Sequence, residues 1–263
     1  MNILAFYFSG TGNTKFVVEE MKRAFETHEI VMTVINIEDF QEHDVEKIKE
    51  ADRLLFAYPV YGSMAPMIMW QFVKRICPYL DDKKTMVVAT QLMFSGDGGA
   101  YLARILRKCY AQVVSIEHFN MPSNLSDVKL FKVLDEEEAR KVGDRVQQKI
   151  ELYCMDVAKN ILTKRGDGVG SILLGSIQRI PFSKWERKLV KNVKIDLERC
   201  TTCGHCVAIC PMNNLYVEND KIAQNGNCTL CYRCVNQCPE KAISILSKRP
   251  PLKQYKGIRK ESI

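Results

Sequence analysis

No stretch of the 263 residues is apolar for long enough to read as a membrane span. Met1-Asn2-Ile3-Leu4-Ala5 carries no basic segment and reaches Ser9-Gly10 before any cleavage pattern, so a secretory leader is not expected and the expected location is cytoplasmic. No helix-turn-helix or other nucleic-acid reader is recognisable, which leaves a gene-regulatory redox or iron sensor without its output module. Two nucleotide motifs also fail in the glycine-containing segment Ser9-Gly10-Thr11-Gly12-Asn13-Thr14. Lys15 stands where G-x-G-x-x-G requires its third glycine, and the Gly-Lys-Ser/Thr ending of a Walker loop is absent, so NAD and ATP are poor fits there.

The composition is that of a folded globular chain, 46% hydrophobic and 26% charged, and the formal charge is +7. The excess is local. Residues 1–162 carry 20 basic against 23 acidic side chains and residues 195–248 carry five of each, whereas residues 163–194 carry eight against two and residues 249–263 five against one. A connector and a tail therefore hold the positive charge, which argues against nucleic acid and fits an acidic redox partner or the balancing of cofactor charge.

Eight of the eleven cysteines lie between 200 and 238. Cys200-x-x-Cys203-x-x-Cys206-x-x-x-Cys210-Pro211 is followed by Cys228-x-x-Cys231-x-x-Cys234-x-x-x-Cys238-Pro239, two copies of the bacterial iron–sulfur run. Zinc would need neither the third cysteine of each triplet nor the proline after each fourth one. In this run the fourth cysteine serves the other cluster, so one 4Fe-4S cluster is expected on Cys200, Cys203, Cys206 and Cys238 and the other on Cys228, Cys231, Cys234 and Cys210. The remaining Cys77, Cys109 and Cys154 sit among apolar residues and read as small buried hydrophobes.

The first half alternates β-branched runs (residues 3–8, 30–37, 53–58, 85–90 and 112–119) with segments of helical period (14–26, 45–50, 66–77, 100–108 and 135–163). Such alternation predicts an α/β fold, a doubly wound parallel sheet of five strands, over residues 1–163. Residues 164–194 read as a basic apolar connector, opened by Gly166, Gly168 and Gly170 and interrupted as a helix by Pro181; packing between two domains or lying on a membrane surface are its two readings. A small α+β two-cluster domain over residues 195–248 and a basic tail over 249–263 complete the layout.

The loop Ser9, Gly10, Thr11, Gly12, Asn13, Thr14 lies between the first strand and the first helix, where backbone amides and hydroxyls surround a phosphate without a lysine. It resembles the phosphate loop of flavodoxins, which implies FMN. In such sheets the carboxyl ends of strands three and four supply the ring contacts, here Pro59, Val60, Tyr61 and Gly62, then Thr90, Phe94, Gly96 and Asp97. The resemblance implies that Tyr61 covers one face of the isoalloxazine and that Gly62 turns its peptide toward N5. Phe94 is assigned to the opposite face, with Met93, another loop or the C-terminal module as alternatives; Asp97 reads either as a flavin contact or as a helix N-cap.

Residues 195–247 resemble two-cluster bacterial ferredoxins, and the whole chain resembles the fused flavodoxin–ferredoxin proteins (iron–sulfur flavoproteins) of anaerobes. The resemblance implies intracellular electron transfer between two 4Fe-4S clusters and FMN, to or from a ferredoxin, a flavodoxin, a reductase or dehydrogenase, or a small acceptor. An NAD(P)H-dependent or quinone-reducing flavin oxidoreductase is the alternative, although no nicotinamide site is recognisable.

Overall fold

The computed structural model describes residues 1–258. Strand β1 (Asn2–Tyr7) places Leu4 and Phe6 on one face and Ile3, Ala5 and Tyr7 on the other, and both sets are buried. A strand covered on both faces needs helices above and below, and the chain supplies them. In order come α1 (Asn13–Glu26), β2 (Val31–Asn36), α2 (Asp44–Glu50), β3 (Arg53–Pro59), α3 (Met67–Ile76), β4 (Lys84–Gln91), α4 (Gly98–Lys108), β5 (Gln112–Asn120) and α5 (Glu136–Ala158). All pairings in the sheet are parallel, in the order β2-β1-β3-β4-β5, as the alternation predicts. One core layer packs Phe6, Phe56, Met69, Phe72 and Leu106; the other packs Val17, Met21, Phe25, Ile150 and Val157.

The order reverses direction at β1, whose neighbours β2 and β3 lie on its two sides, so a crevice opens beyond the carboxyl ends of β1 and β3. Helix α5 begins with a capping box: Asp135 accepts from the Glu138 amide at 2.9 Å, and Glu138 accepts from the Asp135 amide at 3.2 Å.

After α5 the chain does not form a loose linker. Arg165 donates its amide to the Ile116 carbonyl at 2.9 Å, so the segment is stitched to the edge of β5. Helix α6 then runs unbroken from Val169 to Leu189 through Pro181, which corrects the sequence expectation of an interruption. An internal proline removes one backbone bond and costs roughly 3 kcal/mol; tertiary contacts in the turns before and after it offset that cost. Gly175 lies against Asp97, the Arg179 guanidinium donates to Asp97 and to the Ser63 carbonyl, and Phe182 packs on Gly62. Two of the glycines that open the connector, Gly168 and Gly170, stand at the start of this helix.

The C-terminal module consists of β6 (Lys194–Ile195) paired with β9 (Ile243–Ser244), α7 (His205–Ala208), the hairpin β7 (Leu215–Glu218) with β8 (Lys221–Gln224), and α8 (Arg233–Gln237). Its core joins Val235, Ala242, Ile243 and Ile245 to the cysteine loops. A second correction concerns sulfur: Cys77 and Cys109 are joined in a disulfide, with Cα atoms 5.2 Å apart, and are not separate buried thiols. The ends of α3 and α4 meet there, a tertiary coincidence with no local signature. Cys154 is a free buried thiol whose pKa burial pushes upward, as expected.

Candidate functional site

The crevice holds a cavity of about 180 Å³, partly open to solvent. Ser9, Gly10, Thr11, Asn13 and Thr14 line it from the first loop, Pro59, Val60, Tyr61 and Gly62 from the second, and Thr90 from the end of β4. The first bond within α1 runs from the Phe16 amide to the Gly12 carbonyl, so the amides of Asn13, Thr14 and Lys15 have no acceptor inside the helix. They form, with the positive end of the helix dipole, a seat for an anion. Gly12 stands at the helix cap, outside the cavity lining, and its amide donates to Ser9 Oγ at 3.1 Å. Thr14 and Thr90 share a buried hydroxyl pair at 2.8 Å, fixing the end of β4 to the loop.

Tyr61 is held by a two-residue turn. Its amide and carbonyl pair with those of Met64 at 3.0 Å, and Gly62 and Ser63 both adopt positive φ, +54° and +60°, as a type I′ turn requires. The ring of Phe182 covers Gly62 so closely that a methyl group there would collide with it.

Three expected contacts lie elsewhere. Phe94 points into solvent, 60% exposed. Gly96 packs against Gly175 of α6. Asp97 is fully buried at the N-cap of α4 but caps nothing; its carboxylate accepts from Arg179 at 2.9 and 3.1 Å and also pairs with Arg104.

The cavity is completed by two groups that the sequence reading named only as alternatives to Phe94, another loop and the C-terminal module, without their residues. One is the loop after β5, Met121 to Leu125, which the same carboxyl-end rule would have found. The other comes from the C-terminal half: Leu230, Tyr232, Ile245 and Leu246, with Phe182 of α6, line the same cavity as the first loop.

The two halves are joined at this point by specific bonds. Gly10 lies under the backbone of Cys231, where any side chain would strike the Cys231 carbonyl. The Arg233 guanidinium donates to the carbonyls of Ser9 and Gly10 at 3.0 and 3.3 Å and to both oxygens of Glu38 at 2.7 and 2.6 Å. Asn124 donates to Thr11 Oγ1 at 3.1 Å and accepts at its carbonyl from Asn236 at 2.9 Å. In the tail, Tyr255 donates its amide to Asn236 Oδ1 and its hydroxyl to Asn13 Oδ1. Asp127 accepts from the amides of Ile245, Leu246 and Ser247 at 2.7, 2.9 and 3.1 Å and from the Tyr232 hydroxyl at 2.9 Å.

The cysteines group by space and not by repeat. Cys200, Cys203, Cys206 and Cys238 line one small cavity, with Ile195, Ile222 and Ile243 as its apolar wall. Burial pushes the Cys206 thiol up to about 11, and the charges that add to this are those of Cys238, Cys200 and Cys203. Burial likewise raises Cys228 to about 12 and Cys231 to about 11, and Cys234 well above its ordinary value, with Cys231, Cys228 and Cys210 its main charged neighbours. The fourth cysteine of the second repeat, Cys238, thus stands with the first repeat's triplet. Buried thiols raised in this way ionise only against positive charge, which an iron cluster supplies. Backbone amides already point at sulfur: Asn214 at Cys210, Leu230 at Cys228 and Ala242 at Cys238, each at 3.3 Å.

Residues 4–125 match the family model for a flavodoxin domain, and residues 192–239 match that for a 4Fe-4S dicluster domain. Similar solved structures include a flavodoxin from the domain Archaea (17% identity, TM-score 0.46, covering 61% of this chain and 99% of that one). Others are two-electron reduced Megasphaera elsdenii flavodoxin (21%, 0.41, 56% and 98%) and Fusobacterium nucleatum flavodoxin bound to flavin mononucleotide (16%, 0.40, 60% and 98%). No curated protein shows significant similarity to the chain. Among the described residues no helix is long and apolar enough to cross a membrane. With one family model matched in each half, the chain joins an N-terminal flavodoxin domain to a C-terminal 4Fe-4S dicluster domain, the composition of a fused flavodoxin–ferredoxin protein.

Proposed function

We propose that this protein transfers electrons within one chain between two 4Fe-4S clusters and an FMN, and exchanges them with a redox partner or small acceptor in the cytoplasm. Clusters exchange single electrons, and a flavin takes up one or two. FMN would be held with its phosphate on the loop from Ser9 to Thr14 and its ring between Tyr61 and the wall formed by Leu230 and Tyr232. Cys200, Cys203, Cys206 and Cys238 would hold one cluster, and Cys228, Cys231, Cys234 and Cys210 the other. The observation that carries this reading is the shared cavity: the phosphate loop and the residues around Cys231 line one space, and Gly10 touches the Cys231 backbone. The chain's part is to fix that separation, which the Arg233–Glu38 pair and the Asp127 carboxylate do without a hinge.

Anaerobic rapid mixing with a reductant specific for the clusters tests the proposal. Flavin reduction at a rate independent of protein concentration is expected, and Cys228→Ser should slow it. A rate proportional to protein concentration, or one unchanged in Cys228→Ser, would remove the internal relay.

A further inference from the structure

Six buried side-chain polar atoms among the described residues have no hydrogen-bond partner, and three of them belong to one neighbourhood: Tyr61 Oη, Asn214 Nδ2 and Thr229 Oγ1. A buried donor left unpaired costs roughly 1–3 kcal/mol, so three together call for an acceptor that the polypeptide itself does not supply. All three border the second cysteine set. Thr229 follows Cys228 in the chain and is 4% exposed. Asn214 places its amide 3.3 Å from Cys210 Sγ and accepts on Oδ1 from the amide of Asn227, next to Cys228, so its side chain spans the two cysteines with Nδ2 unused. Tyr61 lines the flavin cavity together with Leu230 and Tyr232, the chain neighbours of Cys231 on either side, so its side chain lies beside the second cysteine run. None of the six unpaired atoms belongs to a residue lining the cavity of Cys200, Cys203, Cys206 and Cys238.

Resting on the function proposed above, we infer that Tyr61, Asn214 and Thr229 are hydrogen-bond donors to the sulfur atoms of the cluster held by Cys228, Cys231, Cys234 and Cys210, and that they raise its reduction potential. A donated hydrogen bond stabilises the more negative, reduced cluster, and such bonds are among the main determinants of cluster potential. Sulfur is the acceptor at hand: Cys210 Sγ lies 3.3 Å from the Asn214 amide, and Thr229 directly follows Cys228 in the chain. Tyr61 has two roles. Its ring belongs to the cavity and its hydroxyl to the cluster, so one side chain bridges the two sites. The donors make the two clusters unequal: the one beside the flavin becomes the better acceptor, and electrons entering at the more exposed Cys203 side are drawn inward.

The test is a potentiometric titration of the holoprotein, followed by electron paramagnetic resonance, on Tyr61→Phe and separately on Thr229→Val. Iron and FMN are counted first in the unmodified protein; fewer than two clusters there overturns the proposed function and this inference with it. With both clusters present, the expected result is a downward shift of one cluster's potential in each variant with the other cluster's potential unchanged, and in Thr229→Val, whose side chain lies outside the flavin cavity, FMN content equal to that of the unmodified protein. Unchanged potentials in both variants, or equal shifts of both clusters, would overturn the inference and leave the internal relay standing.

Discussion

Replacing Asp127 by alanine should release the C-terminal module from the flavodoxin domain. The carboxylate is 5% exposed and accepts four hydrogen bonds, all from that module. Two of its donors, the Ile245 amide and the Tyr232 hydroxyl, belong to residues at most 2% exposed and would be stranded, at roughly 1–3 kcal/mol each. The amides of Leu246 and Ser247 belong to half-buried residues and would turn to water at a smaller cost. The total is about 4 kcal/mol, or roughly a thousandfold in the docking equilibrium at 1.4 kcal/mol per factor of ten. Native-state hydrogen exchange reads this directly. Protection at residues 245–247 should fall by about that factor, while the amides of β1 and β3, which belong to the other domain's core, hold theirs. Asp127→Asn should fall between, because one amide oxygen serves either the three amides or the tyrosine but not both sets. Less than a tenfold loss of protection in Asp127→Ala would refute the reasoning and assign docking to the Arg233–Glu38 pair and to apolar burial.

Thr11→Ala combined with Thr14→Ala should lower FMN retention at least tenfold in equilibrium dialysis, since it removes a hydroxyl from the cavity and the partner of Thr90; unchanged retention would place the phosphate elsewhere. Cys238→Ser should damage the cluster site of the first repeat, and Cys210→Ser that of the second, a crossed pattern that iron counts and spectra of the two variants resolve. His118 is held neutral, its pKa lowered to about 4 mainly by burial, while Nε2 accepts from the Gly99 amide at 3.0 Å. The unfolded chain takes up this proton first as pH falls, so the contribution is intact above about 6.5 and lost on the way down to about 4, by ~3 kcal/mol in all. Urea unfolding of His118→Gln, which keeps an acceptor and cannot be charged, should show a shallower decline than the unmodified protein between those pH values; parallel curves would exclude the imidazole as the cause.

The five strands, the five helices between and after them, and the first loop were legible because their signals are local: period two or 3.6, glycine after a strand, hydroxyls before a helix. Observed strand ends fall within about two residues of those expected. Cysteine spacing likewise anticipated that Cys238 would stand with Cys200, Cys203 and Cys206. What was not legible depends on residues far apart in the chain. Nothing near Asp97 announces Arg179, nothing near Cys77 announces Cys109, and Pro181 is carried inside α6 only because Asp97, Ser63 and Gly62 hold the turns around it. Phe94 is expected at the cavity from its place after β4, with another loop or the C-terminal module as alternatives, and the residues of those alternatives, 121–125 and 230–246, could not be named because no periodicity encodes how the second domain docks.

The disulfide and the cluster cysteines set opposite conditions on the same solution. Cys77–Cys109 closes a loop of 32 residues, a constraint worth about 3–4 kcal/mol to the flavodoxin domain on loop-entropy grounds. The cysteines at 200–238 serve a cluster only while reduced. A thiol added to protect them also attacks the disulfide, and does so at the half-buried Cys77 sulfur more readily than at Cys109, which is 5% exposed. Folding stability of one half and cluster content of the other therefore move in opposite directions along a single axis, the thiol–disulfide poise of the medium, and purified samples that differ only in reductant will differ in both.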